Sequence, residues 1–314
     1  MSDFRHDPVF DQWVCIAESR QQRPVEFRQQ VQRLPGLVCP FCPGNESMTP
    51  APTLEEGTGG AGWQVRVFPN KYPALTPGGV EAGRGGPDGG QQEVIVVSHR
   101  HIVSFSELDE TESRLALQVF RQRTRASLNH PGVRHVSLFM NCRSLAGASI
   151  EHIHFQLMGS PLCTAQVRDR AVRMGSGQPA SVWGDEIRRE TDEQIRVLEF
   201  TPDWLVFCPW ASRFTGLIRF AARHDRPFVE LADEPLFGLG RLLRKWTGAM
   251  EQTLDSPAYN LVFYFPPGDH GHAPWFVDLI PRFPQFAGFE LATDCWVNPL
   301  SPELAASRFR EAVG

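Results

Sequence analysis

The order of apolar and polar positions repeats once along the chain. An apolar run at residues 94–98 is followed by His101 and a long amphipathic stretch, and residues 217–221 open a second stretch of the same kind with His224. Each amphipathic stretch leads to two apolar runs typical of strands, at 135–141 and 152–158 in the first copy and at 259–265 and 275–280 in the second. Because an ordered match of this length indicates a duplicated unit, the pattern predicts two related halves.

Capping residues place helices within this pattern. Asp109, with Glu112 three positions later, forms the capping box of a helix N-terminus. Ser301 followed by Pro302 is typical of the start of a last helix. Short gaps between adjacent strands favour antiparallel pairing, so we expect an α+β fold in which each half is an antiparallel sheet covered by helices.

The boundaries of these halves follow from the loops. Residues 76–92 and 174–181 are rich in glycine and polar residues, which predicts flexible loops. We place the first half at residues 1–170, a linker at 171–195 and the second half at 196–314.

Composition narrows the class of protein. Of 314 residues, 41% are hydrophobic and 21% are charged, which is ordinary for a globular protein. The formal net charge is −5 and lysines and arginines are scattered, so we expect no nucleic-acid partner. No apolar run approaches the roughly 20 residues that span a bilayer, and the N-terminus lacks the apolar core of a signal peptide. We therefore expect a cytoplasmic protein whose seven cysteines are thiols or metal ligands.

Chemistry concentrates in the strand at residues 152–158. Alternate side chains of a strand share a face, so His152, His154 and Gln156 lie on one face and the apolar residues between them on the other. Small residues at 146–149 just upstream would let a ligand approach backbone N–H groups. A neutral imidazole is a competent nucleophile toward phosphorus, which makes His154 a candidate nucleophile. The alternative is a half-buried strand with two incidental surface histidines.

A metal site is predicted from two cysteines. Cys39 and Cys42 form a C-x-x-C in a turn-prone setting, and thiolates at this spacing chelate one tetrahedral ion. Further ligands would be His152 and either His101 or His99. A redox C-x-x-C is the alternative, although the prolines around it do not resemble a helix start. A bound ion would hold His152 and thereby position His154, so its role would be structural.

These motifs together resemble the galactose-1-phosphate uridylyltransferase family, the transferase branch of the histidine-triad superfamily, whose members include proteins similar to ADP-glucose phosphorylases. The resemblance spans nearly the whole chain. The segments that carry it are R-Q-Q-R-P from Arg20, C-P-F-C-P-G-N from Cys39, F-P-N-K-Y-P-A-L from Phe68, Asn141, G-A-S from Gly147, H-I-H-F-Q from His152, and G-F-E from Gly288.

The resemblance implies a role for each matching residue. Cys39, Cys42, His101 and His152 would bind one structural zinc ion. His154 would be nucleotidylated, and Gln156 and Ser149 would hold phosphoryl oxygens. The substrate-binding residues would be Arg20, Arg23, Asn70, Asn141, Gly147 and Glu290. The family also forms dimers whose sites borrow residues from the partner, so we expect a homodimer.

Gln156 bears on the type of reaction. Histidine-triad hydrolases have a third histidine at this position, which can move protons, whereas a carboxamide cannot titrate. This favours a transferase over a hydrolase. The resemblance implies a nucleotidyltransferase of the UDP-glucose–hexose-1-phosphate uridylyltransferase type, which moves a nucleoside monophosphate from a nucleoside diphosphate sugar to a hexose 1-phosphate. The alternatives are a nucleotide-sugar phosphorylase that uses inorganic phosphate, a dinucleotide hydrolase and a non-catalytic nucleotide-binding protein. Uracil and adenine both remain open as the base.

The sequence departs from the family pattern in two places. Ile153 replaces the proline usual between the histidines. The second half lacks a histidine pair, because Asp278 stands in the corresponding stretch, and His270 and His272 nearby find no convincing ligand set. We expect no second metal.

Overall fold

The computed structural model describes residues 3–22, 38–57, 62–75, 89–175, 181–255, 258–268, 274–283 and 287–314. Its strands are β1 Asp3–Asp7, β2 Gln12–Ile16, β3 Leu54–Glu56, β4 Val65–Pro69, β5 Gln91–Val96, β6 His135–Cys142, β7 His154–Ser160, β8 Val197–Phe200, β9 Trp204–Phe207, β10 Ile218–Ala222, β11 Tyr259–Tyr264, β12 Phe276–Pro281 and β13 Trp296–Asn298. Its α-helices are α1 Glu110–Leu128, α2 Ala165–Met174, α3 Val182–Glu193, α4 Asp233–Leu254, α5 Gly288–Thr293 and α6 Pro302–Val313.

Ten of the strands form one antiparallel sheet with a palindromic order. The order is β3-β4-β5-β7-β6-β11-β12-β10-β9-β8. Each half contributes five strands in the same arrangement, and the halves join edge to edge where β6 pairs with β11. The α+β class is confirmed. The duplication predicts one sheet in each half, and the two form a single continuous sheet through the pairing of β6 with β11. Because backbone hydrogen bonds cross this edge, the halves stabilise each other.

The long helices cover one face of the sheet. Side chains alternate along β6, so that Leu138 and Met140 enter the main core. Helices α1 and α4 bury Phe120 and Trp246 in the same core. The capping box predicted at Asp109 and Glu112 is present at the start of α1. None of the helices in the described ranges is both long and apolar enough to span a bilayer.

The duplication shows which residue of the second half corresponds to His154. In the first half Val96 pairs with His154, and in the second half Arg219 pairs with Asp278. Val96 and Arg219 each lie five positions before the matched histidines, His101 and His224. Asp278 therefore occupies the counterpart of the His154 position.

In the second half, this position belongs to a buried ion pair. Arg219 donates to both carboxylate oxygens of Asp278, at 2.9 and 3.0 Å, and lies 3.3 Å from Glu186 of α3. Arg219 and Asp278 are fully buried. The surrounding cluster includes Phe10, Trp183 and Phe276, so this part of the sheet is covered on both faces.

Two details differ from the sequence-based expectations, and a third describes the predicted linker. Strand β7 begins at His154 and not at His152, because the N–H of Ile153 donates to the carbonyl of Ile102 before the ladder starts. Ser301 is the N-cap residue of α6, but its hydroxyl donates to Glu18 and does not cap the helix. Residues 171–195, expected to link the halves, hold the end of α2 and all of α3.

A small second sheet lies beside the large one. Strand β2 pairs with β1 antiparallel and with β13 parallel, which brings the N-terminal segment to the C-terminal region. Gln12 strengthens this contact by donating to Asp294 at 2.7 Å. Of the two predicted loops, residues 76–88 and 176–180 lie outside the described ranges.

The Arg219–Asp278 pair gives a stability prediction. Replacing Arg219 with Met leaves the Asp278 carboxylate buried without its partner, so we expect the free energy of unfolding to fall by about 3–5 kcal/mol. Urea denaturation monitored by tryptophan fluorescence measures this change. Arg241→Met, which removes a solvent-exposed partner of Glu234, should change the value by no more than about 0.5 kcal/mol. Equal effects of the two substitutions would contradict the assigned role of the buried pair.

Candidate functional site

The face of the first half that α1 and α4 do not cover contains a pocket of about 270 Å³. His154, Gln156, Ser149 and Asn70, four of the residues predicted to form the site, line this pocket. The other residues that line it are Pro40, Phe41, Met48, Thr49, Pro50, Phe68, Lys71, Tyr72, Val94 and Ile150. Residues of β7 and of the loop before it therefore line the same cavity.

One hydrogen bond settles the tautomer of His154. Its Nδ1 lies 2.8 Å from the carbonyl oxygen of His152. A carbonyl oxygen can only accept, so Nδ1 carries the proton and Nε2 carries the lone pair. Burial lowers the pKa of His154 below its ordinary value, although the bond to His152 opposes this shift. The ring is therefore neutral at pH 7, with an unprotonated nitrogen left for the pocket.

Phe41 joins the cysteine pair to the pocket. Phe41 lies between Cys39 and Cys42 in the sequence. The centroid of its ring is 5.1 Å from that of His154 and 5.7 Å from that of Phe68. These edge and tilted contacts are favourable aromatic geometries. The C-x-x-C turn thus supplies one wall of the site as well as two thiols.

Cys39, Cys42, His101 and His152 form a cluster that could hold a metal ion, with their ligand atoms all within 4.8 Å of one another. The Sγ of Cys42 lies 3.2 Å from His101 Nδ1 and 3.6 Å from His152 Nδ1, and Cys39 Sγ lies 3.7 Å from the same nitrogen. Tetrahedral coordination with ordinary metal–sulfur and metal–nitrogen bonds places ligand atoms about 3.3–3.8 Å apart. The three distances of 3.2–3.7 Å are close to this range, so the cluster could hold such an ion, with His101 and not His99 among its members.

A second carbonyl orients His152 toward the cysteines. His152 Nε2 lies 2.8 Å from the carbonyl oxygen of Ser98. By the same argument Nε2 carries the proton, and the Nδ1 lone pair faces Cys39 and Cys42. Burial lowers the pKa of His152 to about 4, which keeps the ring in the neutral form that metals bind. This backbone partner is typical of the outer shell of metal-ligating histidines.

The loop before β7 is held by the joint between the halves. Asn260 of β11 donates to the side chain of Asn141 at 2.8 Å and to the carbonyl of Ala146 at 2.9 Å. Gly147 has φ of 94°, a left-handed conformation that favours glycine, and a Cβ there would lie 3.5 Å from Asn141. Asn141 and Gly147 therefore contribute to the shape of the loop that presents Ser149.

Gln156 is held by a residue that sequence analysis did not identify. Its Oε1 accepts a hydrogen bond from Gln92 Nε2 at 2.7 Å. Gln92 lies at the end of the glycine-rich stretch, which had been assigned to a loop, and no motif distinguishes it. Lys71, Tyr72 and Met48 also line the pocket without having been predicted individually, although Lys71 and Tyr72 belong to the motif that begins at Phe68.

Of the predicted substrate-binding residues that the structure describes, only Asn70 lines this pocket. Asn141, near the end of β6, and Gly147, in the loop before β7, do not line it. Arg20 is exposed beside the small sheet, and Arg23 lies outside the described residues. Glu290 accepts a hydrogen bond from the N–H of Ala287 at the start of α5, a local contact. Arg20 follows β2 and Glu290 precedes β13, so both belong to the region of the small sheet.

Known proteins are similar to this chain in sequence and fold. No family model matches the chain. The chain is 26% identical to ADP-glucose phosphorylase of Arabidopsis thaliana over 327 residues, covering 98% of this chain and 92% of that protein. It is 24% identical to galactose-1-phosphate uridylyltransferase of Thermotoga maritima over 337 residues, covering 99% and 98% of the two chains.

Structure comparison shows a shared fold. The crystal structure of an ADP-glucose phosphorylase from Arabidopsis thaliana with bound ADP-glucose superposes with a TM-score of 0.82 at 24% identity, covering 99% of this chain and 98% of that one. The resemblance predicted from the motifs is thus confirmed: the chain is similar, over nearly its whole length, to the galactose-1-phosphate uridylyltransferase family with its ADP-glucose phosphorylase-like members.

Proposed function

We propose that the protein is a nucleotidyltransferase that takes a nucleoside monophosphate from a nucleoside diphosphate sugar and passes it to a phosphorylated acceptor. The observation that carries the proposal is the neutral His154 ring, with Nδ1–H bound to a carbonyl and the Nε2 lone pair available to the pocket. An imidazole held in this way is a nucleophile that needs no base to remove a proton.

The reaction consists of two displacements at the α-phosphorus. His154 Nε2 attacks, a P–N bond forms, the bond to the bridging oxygen breaks, and the sugar 1-phosphate leaves with that oxygen. The ring gains positive charge, which the His152 carbonyl stabilises through Nδ1–H. A phosphate oxygen of the acceptor then attacks phosphorus, the P–N bond breaks and the neutral imidazole returns. Gln156 and Ser149 donate hydrogen bonds to the phosphoryl oxygens in both steps.

Gln156 favours transfer over hydrolysis. Water must lose a proton when it attacks the adduct, and a carboxamide cannot accept one. An acceptor phosphate is already an anion and needs no such relay. Its binding in attack geometry can supply about 7–11 kcal/mol of advantage over a free reactant, which offsets the higher concentration of water.

The acceptor is proposed to be a hexose 1-phosphate, as in a galactose-1-phosphate uridylyltransferase. A second candidate is inorganic phosphate, which would make the protein a nucleotide-sugar phosphorylase. The sequence similarity to ADP-glucose phosphorylase along nearly the entire chain favours this second candidate. A transferase and a phosphorylase have the same first half-reaction and the same adduct, so both use the chemistry assigned to His154.

We propose that the ion held by the Cys39 cluster is a single zinc ion. Two thiols and two imidazoles in tetrahedral geometry are a preferred zinc ligand set. With all four positions filled by protein, the ion would fix His152 and the C-x-x-C turn and would not contact substrate.

We also propose a homodimer whose sites are shared. Arg20 and Glu290 belong to the region of the small sheet, and none of the described contacts connects them to the pocket of their own chain. Large apolar side chains are exposed in the same region, namely Phe4 57%, Trp13 53%, Phe289 49% and Leu291 78%. These exposed side chains support an interface in this region, and a partner placed there would bring its acceptor-binding residues to the pocket.

The metal proposal predicts a stoichiometry. Elemental analysis should find about one zinc ion per chain, and the double variant Cys39→Ser, Cys42→Ser should lose it together with most activity and much of its thermal stability. Cys163→Ser, which changes a cysteine outside the cluster, is the matched control and should keep the ion. A metal-free double variant with full activity would refute a structural role for the ion.

The nucleophile assignment predicts a covalent adduct. Incubation with ADP-glucose or UDP-glucose, without acceptor, should add one nucleoside monophosphate to the intact mass, in an acid-labile form that maps to His154. His154→Ala should show no adduct, and His130→Ala, which changes an exposed histidine after α1, should react normally. An adduct that persists in His154→Ala would disprove the assignment.

The type of reaction is tested on the isolated adduct. In buffer it should decay slowly, because Gln156 provides no proton relay, and addition of a hexose 1-phosphate or inorganic phosphate should discharge it rapidly. The acceptor with the greater rate identifies a transferase or a phosphorylase. Rapid discharge by water alone, unchanged by either acceptor, would show that the protein is a hydrolase.

A shared site predicts complementation. The variants His154→Ala and Glu290→Ala should each be inactive, and mixing them under conditions of subunit exchange should restore about one quarter of the activity, since heterodimers form half the population and hold one intact site. Sedimentation equilibrium should show a dimer. Freely exchanging subunits that stay inactive would indicate sites complete within one chain.

A further inference from the structure

We propose that Gln92 is a positioning residue that fixes the carboxamide of Gln156 with its NH₂ group toward the phosphoryl group of the substrate. The inference rests on the proposed function, since it assigns how Gln156 takes part in the transfer. It concerns a residue that no motif marks and that lies behind the pocket lining, on the strand next to β7.

The hydrogen-bond partners of each side-chain amide determine its orientation. The backbone N–H of Ala74 donates to Gln92 Oε1 at 2.7 Å. A backbone N–H can only donate, so the side chain of Gln92 must direct its oxygen to Ala74 and its NH₂ group elsewhere. That NH₂ group lies 2.7 Å from Gln156 Oε1, which must therefore be the acceptor. The NH₂ group of Gln156 is what remains for the pocket.

The register of the sheet makes this contact possible. Gln92 pairs with Met158 and Val94 pairs with Gln156, so Gln92 and Gln156 are diagonal neighbours on the same face of β5 and β7. Gln92 is buried. Diagonal neighbours lie within reach of long side chains, and a buried amide without partners would be costly.

Gln92 also connects Gln156 to another wall of the pocket. Its backbone carbonyl accepts from the N–H of Asn70 at 2.8 Å, while its side chain accepts from Ala74. Both ends of the segment 70–74, which includes the pocket residues Lys71 and Tyr72, are therefore fastened to one residue. The same residue sets the orientation of the amide that is proposed to touch the reacting phosphate.

The reversed amide would oppose the reaction. If Gln156 turned its oxygen to the pocket, a carbonyl dipole would face the phosphoryl oxygens and two acceptors would stand against each other. Removing Gln92 leaves the Gln156 oxygen without its donor, which disfavours the productive orientation, so most of the enzyme would present the wrong group. Loss of a hydrogen bond to a charged group predicts a rate lower by about 10- to 100-fold.

A double-mutant cycle tests the proposal. The variants are Gln92→Met, Gln156→Met and both together, and the quantity is the single-turnover rate of adduct formation at saturating ADP-glucose or UDP-glucose, whichever donor reacts. We expect Gln92→Met to lower this rate by about 10- to 100-fold and to lower it by less than about 2-fold when Gln156 is already Met. Donor affinity should change much less than the rate.

The neighbouring glutamine gives a matched control. Gln91 precedes Gln92 on the same strand, but its side chain donates to Ser127 on the opposite face. Gln91→Met should leave the rate within about 2-fold of the parent, because adjacent residues of a strand point to opposite faces. An equal reduction by Gln92→Met in both backgrounds would overturn the proposal, because Gln92 would then act without Gln156.

A measurement without turnover separates this proposal from the proposed function. Through-hydrogen-bond NMR coupling, in protein labelled on glutamine, should connect Gln92 Nε2 to Gln156 Cδ. Coupling in the reverse direction, from Gln156 Nε2 to Gln92 Cδ, would overturn the assigned orientation. Failure of the parent protein to form any adduct would instead count against the proposed function, and the coupling would still report which way the amides point.

Discussion

The hydrogen bond from His154 Nδ1 to the carbonyl of His152 is the interaction on which the chemistry of this site depends. It links the side chain of one residue to the backbone two positions earlier, where β7 is about to begin. It fixes the ring, assigns the proton to one nitrogen and leaves the other nitrogen with a lone pair, which is proposed to be the nucleophile. The same carbonyl can stabilise the positive charge that the ring gains on attack. The bond is useful only if the His152 backbone stays in place, and several independent contacts hold it there.

Two of these contacts come from distant parts of the chain. The carbonyl of Ser98 accepts a hydrogen bond from His152 Nε2–H, and the cysteine turn faces the other ring nitrogen, so the imidazole is fixed on both sides. The N–H of Ile153 donates to Ile102 and prevents the strand from starting earlier. The second half has different residues at the corresponding position. There Asp278 occupies the counterpart of His154, and a buried arginine neutralises it, so the duplicated position provides stability in one half and is proposed to provide catalysis in the other.

Much of the fold and part of the site could be predicted from local pattern. The alternation of residues 152–158 placed His154 and Gln156 on one face, and the matched histidines His101 and His224 revealed the duplication, because both signals need only the period of a strand and the order of elements. The edge that joins the halves could not be predicted, since it depends on pairing between residues more than a hundred positions apart. Gln92 was missed for a related reason. Its role exists only through the β5–β7 register, and its flanking glycines resembled a loop.

The most direct test of this account is the protonation pattern of the His154 ring. Long-range proton–nitrogen correlation NMR on protein labelled with ¹⁵N-histidine, with the His154→Ala spectrum for assignment, distinguishes a protonated from an unprotonated ring nitrogen. The account predicts a neutral ring at pH 7 with the proton on Nδ1 and a lone pair on Nε2. A ring with the proton on Nε2, or one protonated on both nitrogens, would contradict it, because Nε2 would then have no lone pair with which to attack phosphorus.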